Sequence, residues 1–170
     1  MTATEYVVLV DNNDREIGQA EKIEAHEKCL LHRAFSIFIF RGEKLLLQQR
    51  ALHKYHSPGL WTNTCCSHPR SGEDIISAGQ RRLQEELGFN VPLKDLGWFH
   101  YTAHFPNGLS ENEIDHVLIG SMTAETKIIL NSEEVHAIRW IAIKDLESEL
   151  ASHPAKFTPW LKQALDIIKK

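Results

Sequence analysis

EDIISAGQRRLQEELG, residues 73–88, is the stretch from which the fold can be read. Ile76, Leu83 and Leu87 recur at helical spacing and make one apolar stripe. Gly88 stands where a helix C-terminal cap belongs. Gly79 in the helix interior costs about 1 kcal/mol relative to alanine, so its presence predicts a close packing partner. Arg81, Arg82, Glu85 and Glu86 crowd one and a half turns, with Arg82 three and four residues before the two glutamates. On spacing alone, such a run reads equally as a solvated, salt-bridged face.

Around this helix the pattern turns to strands. YVVLV (6–10), FSIFIF (35–40) and KLLLQQR (44–50) are apolar runs separated by the turn-rich DNNDREIG (11–18) and by RGE (41–43). GWFHYTAHF (97–105), IDHVLIGSM (114–122) and AIRWIAI (137–143) read the same way, which predicts antiparallel hairpins. IKDLESEL (143–150) and TPWLKQALDIIKK (158–170) carry helical spacing, with Pro159 suited to a first helical turn. The expectation is an α+β fold, one compact domain over residues 1–170 whose mixed and antiparallel sheets surround the 73–88 helix. Residues 1–30 form its N-terminal segment, either a lid or an added strand.

A chain of 170 residues buries enough surface to need no staple, so a metal or thiol here serves function. The net charge of −4 and the absence of a basic block argue against nucleic acid as a partner. MTATEYVVLV lacks a basic start and a long apolar core, and no run approaches the roughly 20 residues that span a bilayer, which places the protein in the cytosol, away from membranes. In that reducing compartment Cys29, Cys65 and Cys66 are thiols.

NTCCSHP (63–69) sets two adjacent cysteines beside a histidine. If 63–66 is extended, the two thiols point to opposite faces, so one can line a cleft while the other packs behind it. Cys65 is then a small buried hydrophobe. A structural zinc or redox-sensing site using Cys65, Cys66, His68 and another histidine is an alternative, weakened because adjacent cysteines diverge. Of ten histidines, His53, His56, His100, His104, His116, His136 and His153 follow no legible pattern and default to surface or satisfied core.

Glu73-x7-Arg81-Arg82-Leu83-Gln84-Glu85-Glu86-Leu87-Gly88-Phe89 resembles the Nudix box, the loop–helix–loop that holds divalent metal against a diphosphate. Ser67 replaces the box's opening glycine, and Arg82 stands where a metal-binding glutamate is expected. Losing that carboxylate removes part of the hydrolytic metal cluster and adds a cation that can clamp phosphate. A nucleotide-diphosphate hydrolase is therefore the weaker enzyme reading.

LLHRAF (30–35), LLLQQR (45–50), PGLWTNTCCSHP (58–69), SENEID (110–115) and FTPW (157–160), in this order, resemble the type 1 isopentenyl-diphosphate isomerases of the Nudix-like superfamily. The resemblance implies interconversion of isopentenyl and dimethylallyl diphosphate in isoprenoid biosynthesis, through protonation and deprotonation by way of a tertiary carbocation. It implies Cys66 and Glu113 as the proton-exchanging groups on opposite sides of the substrate, with Tyr101 bonded to Glu113 and the Trp160 ring facing the cation. It implies Lys22, Arg50, Lys54 and Arg82 around the diphosphate and Glu86 on its Mg²⁺. It also implies a second metal, Mn²⁺, Mg²⁺ or Zn²⁺, held by His26, His32, His68, Glu111 and Glu113. The expected partner is a small allylic or homoallylic diphosphate, and the expected state a monomer or weak homodimer.

Overall fold

The computed structural model describes residues 3–170, so the first two residues of the expected domain and of its 1–30 segment lie outside the described residues. A hairpin of β1 (Tyr6–Val10) and β2 (Glu16–Glu21) leads through the short helix α1 (Lys22–Glu27) to β3 (His32–Arg41) and β4 (Lys44–Arg50). Two short strands, β5 (Trp61–Thr62) and β6 (Cys65–Ser67), precede α2 (Ile75–Leu87). The long pair β7 (Lys94–His104) and β8 (Ser110–Ser121) follows, then β9 (Val135–Ala142), α3 (Ile143–Ser152), a single 3₁₀ turn (Pro154–Lys156) and α4 (Leu161–Ile168).

The frame is β3. Along its full length it pairs in parallel with β8, from His32↔Glu113 to Phe40↔Ser121. Its other edge is shared by β1 at Leu9↔His32, β6 at Phe35–Ile37 and β4 at Phe40–Arg41. After those two register pairs β4 departs to pair with β9, and a wedge opens between β3 and β4. Thr64 closes the wedge: its hydroxyl accepts from Ile39 N at 2.9 Å and donates to Leu46 O at 2.7 Å, satisfying main-chain groups the splayed strands leave over. That is why a threonine precedes the two cysteines.

Because β3 is covered on both faces, its sequence is a continuous apolar run without alternation. Phe35, Ile37 and Ile39 pack with Leu83 and Leu87 of α2, while Phe38 packs on the opposite side with Val117, Leu146, Leu161 and Leu165. Helix α2 starts at Asp74, whose carboxylate accepts from Ser77 N at 3.0 Å, and stops at Gly88 with φ +70°. Its Gly79 is forced by packing: a Cβ there would lie 2.9 Å from terminal methyls of both Leu93 and Leu118.

The α+β architecture and the strands at 6–10, 35–40, 44–50, 97–105, 114–122 and 137–143 agree with the sequence reading to within a few residues. Three expectations change. Pro159 lies in the turn before α4, which begins at Leu161, because Trp160 takes the cap position. Part of the turn-rich 11–18 belongs to β2, and the parallel β3–β8 pairing interrupts the antiparallel scheme. Helix α1, one and a half turns, is too short for periodicity to reveal.

Candidate functional site

Strand alternation builds the site on one sheet face. Ser36 is paired with Cys66, Ala34 with Asp115, and His32 with Glu113, so these side chains share a face. Cys65, one residue away, points to the other face and is fully buried in the α2 core. The two thiols diverge, and the cluster suited to a metal ion contains no cysteine.

That cluster consists of His26, His32, His68, Glu111 and Glu113, whose potential ligand atoms all lie within 4.8 Å of one another. Helix α1 supplies His26, β3 supplies His32, the segment after β6 supplies His68, and alternate positions of β8 supply the glutamates. Asn112 between them turns away to donate to Cys29 O. His26 and His32 bond Lys22 O and Leu30 O through Nδ1, at 2.6 and 2.8 Å, which leaves Nε2 of each facing inward. His26 Nε2 and Glu111 Oε2 are buried without a hydrogen-bond partner, although 3.2 Å apart. Inward lone pairs of imidazoles and carboxylates in one dry nest are a donor set that a divalent cation satisfies. His26, whose spacing from His32 is its weakest sequence credential, is thus brought fully into the nest.

The protonation pattern follows from burial and neighbours. Burial would raise Glu113, but the close approach of His32 Nε2 at 3.2 Å and His68 Nε2 at 2.9 Å outweighs it and holds this carboxyl well below the usual carboxylate range. Burial and the Glu113 charge push Glu111 up to about 8. His68 is pushed down to about 3 by burial. Tyr101 donates to Glu113 Oε2 at 2.5 Å, and its own ionisation is displaced far upward by burial and the Glu113 charge.

Across the cavity, Cys66 Sγ lies 3.0 Å from Asn63 Oδ1 and accepts from Trp160 Nε1 at 3.2 Å. Asn63 is fixed in turn by donating to Ile37 O and Cys65 O. Burial and the Asp115 charge push the Cys66 thiol up to about 12, so it is a neutral S–H near pH 7. Cys66, Glu113, Tyr101 and Trp160 all line one cavity.

Lys22, Arg50, Lys54, Arg82 and Glu86 line the same cavity. Most of these charges are held by carboxylates: Lys22 by Glu5 at 2.7 Å, Lys54 by Glu134 at 2.7 Å, and Arg82 by Glu86 at 2.5 Å and Glu85 at 2.6 Å. Glu86 also accepts from Gln48 at 2.9 Å. Arg82 thus occupies the side of Glu86 where the box pattern would set a second carboxylate.

Sequence reading missed several cavity residues, namely Thr62, Asp115, Glu134 and above all His56, and it missed Asn63, which sits against Cys66. His56 is 4% exposed, its Nε2 is 2.7 Å from Glu111 Oε1, and burial with the Arg50 charge pushes it down to about 3. Its only sequence signal is its position beside Lys54 and Pro58, in a loop that could be placed over the site only in three dimensions.

A fold of this topology, with the box helix behind it and a charged cavity in front, defines a NUDIX-domain protein, and the NUDIX domain pattern matches residues 30–161. The solved structure of DR0079 from Deinococcus radiodurans superposes with a TM-score of 0.74 at 18% identity, covering 96% of this chain and 99% of that one. A MutT NUDIX hydrolase from Burkholderia pseudomallei gives 0.65 at 20% identity, covering 81% and 98%. At such identities these likenesses speak for the fold alone. Sequence relatives are more specific: the isopentenyl-diphosphate Delta-isomerase of Photobacterium profundum is 51% identical over 99% of this chain and 96% of its own. The protein of that name from Aliivibrio fischeri (strain MJ11) is 50% identical over 92% and 91%. The chain belongs to the isopentenyl-diphosphate Delta-isomerase family of NUDIX-domain proteins.

Proposed function

We propose that this protein interconverts isopentenyl and dimethylallyl diphosphate, with Cys66 and Glu113 as the proton-exchanging pair. The observation that carries the reading is a neutral, half-buried thiol and a phenol-bonded carboxylate lining a single cavity whose other walls carry four cations. Adding a proton to the terminal CH₂ carbon of the alkene gives a tertiary cation, and removing one from the methylene next to the cationic carbon gives the internal alkene. One group adds the proton and the other removes one, and the roles exchange when the reaction runs backwards. No bond to phosphorus changes, which suits a box in which arginine has taken the place of a metal carboxylate.

Water would capture the cation, so the site must exclude it. Trp160 and Tyr101 are buried, with ring centroids 6.1 Å apart, and present aromatic faces worth about 2 kcal/mol to a desolvated cation. Lys22, Arg50, Lys54 and Arg82 hold the diphosphate, and binding energy from that unreacting end offsets desolvation of the alkene. Glu86 offers one carboxylate to Mg²⁺ arriving with the diphosphate, an ion that commonly takes one or two protein carboxylates plus phosphate oxygens. His26, His32, His68, Glu111 and Glu113 hold the second ion, Mn²⁺, Mg²⁺ or Zn²⁺, which when bound fixes and neutralises the paired carboxylates.

The test is conversion of labelled isopentenyl diphosphate by metal-reconstituted protein. Cys66→Ala and Glu113→Gln are each expected to lower kcat by about 10²–10⁴-fold. Phosphate release from nucleotides with no rearranged five-carbon product would overturn the reading.

A further inference from the structure

We propose that His56 is a positioning residue for the metal nest, holding Glu111 by one carboxylate oxygen so that the other faces the three imidazoles. The inference rests on the nest being a metal site. Glu111 divides its oxygens: Oε1 lies 2.7 Å from His56 Nε2, while Oε2 lies 3.2 Å from His26 Nε2 and 3.8 Å from His32 Nε2. An unrestrained carboxylate could swing or bind through both oxygens, and a committed Oε1 leaves Oε2 as the single inward donor.

His56 is itself held from several sides. Ser57 Oγ lies 3.3 Å from Nδ1, so a donated hydroxyl proton there leaves Nε2 as the N–H that Glu111 accepts. The ring stacks on Phe105 with centroids 4.7 Å apart and planes 9° from parallel, and meets Tyr55 edge-on at 4.5 Å. Ser57 takes φ +49°, a conformation non-glycine residues avoid, between His56 and Pro58. The main-chain carbonyl of His56 accepts from Arg50 Nη2 at 3.1 Å, so one residue touches both the metal nest and a diphosphate-facing cation.

The experiment is release of Mn²⁺ from the full-length, metal-loaded protein to a competing chelator, followed by the magnetic-resonance signal of free Mn²⁺, with circular dichroism to show the fold intact. His56→Phe keeps the stacking but loses the N–H, and is expected to weaken Mn²⁺ binding about 10–100-fold. His56→Gln, whose amide can reach Glu111 from the Nε2 position, is expected to restore most of that loss. If His56→Phe fails to fold, His56→Asn, too short to reach, carries the same expectation. Retention of full affinity in the variant lacking the N–H, while Glu111→Gln weakens binding, overturns the inference. So does a loss in His56→Gln equal to that in His56→Phe, which would mean that ring packing alone matters. Were Glu111→Gln also without effect, the metal reading of the nest itself would fall.

Discussion

Tyr101 shows what a single hydrogen bond contributes at the site. Its phenol donates to a fully buried carboxylate, a bond to a charged group worth about 1.5–3 kcal/mol. Tyr101→Phe is therefore expected to lower kcat by about 10–100-fold with little change in KM, as steady-state kinetics would show. The opposite split is expected at the proposed diphosphate end: Arg50→Ala or Lys54→Ala should raise KM for the substrate and the Kd of inorganic pyrophosphate more than they lower kcat. A kcat loss with unchanged pyrophosphate binding would remove these residues from the clamp. The proposed site residues stood out in the sequence through the motifs that resemble the isomerase family, NTCCSHP and SENEID above all. Glu134 and His56 did not, since an acid on a surface loop and a lone histidine look ordinary until the tertiary structure turns them inward.

Within elements, close approach outweighs propensity. Adding side-chain bulk at Gly79 in α2 would force the Leu93 and Leu118 methyls aside, so Gly79→Val should destabilise by about 1–3 kcal/mol in urea unfolding although glycine is a poor helix former. Unchanged stability would mean the packing is slack. A second joint ties the β1–β2 turn to the long hairpin: His116 of β8 bonds Asp14 at 2.8 Å and Asp95 at 2.7 Å. Burial would lower this imidazole, but the two aspartates outweigh it and raise it above 6.5. Its contribution is therefore fully present below about pH 6.5 and fades as pH rises through the raised value. The stability gap between the native protein and His116→Gln should be wider at pH 6 than at pH 9, and a gap independent of pH would count against a charged joint. Apolar periodicity revealed α2 and the long strands. It could not reveal β5, β6 or α1, which are too short to show a period; β5 and β6 flank Thr64, whose tertiary hydrogen bonds fix the segment.

At the scale of the molecule, the N-terminal segment is part of the frame. Val8 and Val10 of β1 pack on Ile114 of β8, and α1 carries His26 into the nest. Deleting residues 1–21 should thus cost both thermal stability and metal affinity; a truncated protein that melts like the full chain but loses only turnover would restore the picture of a separable lid. Among the described residues no helix is long and apolar enough to cross a membrane. The sequence by itself determined the box helix through its local period, and the motifs that resemble the isomerase family singled out the proposed thiol, acids and most of the imidazoles. Only the tertiary structure decided which of them meet: the parallel register of β3 and β8 aligns His32 with Glu113, and the splaying of β3 and β4 admits the cysteine segment between them. Such pairings join residues 81 positions apart in the first case and 30 in the second, and no local pattern encodes a contact whose register is fixed by the packing of the whole core.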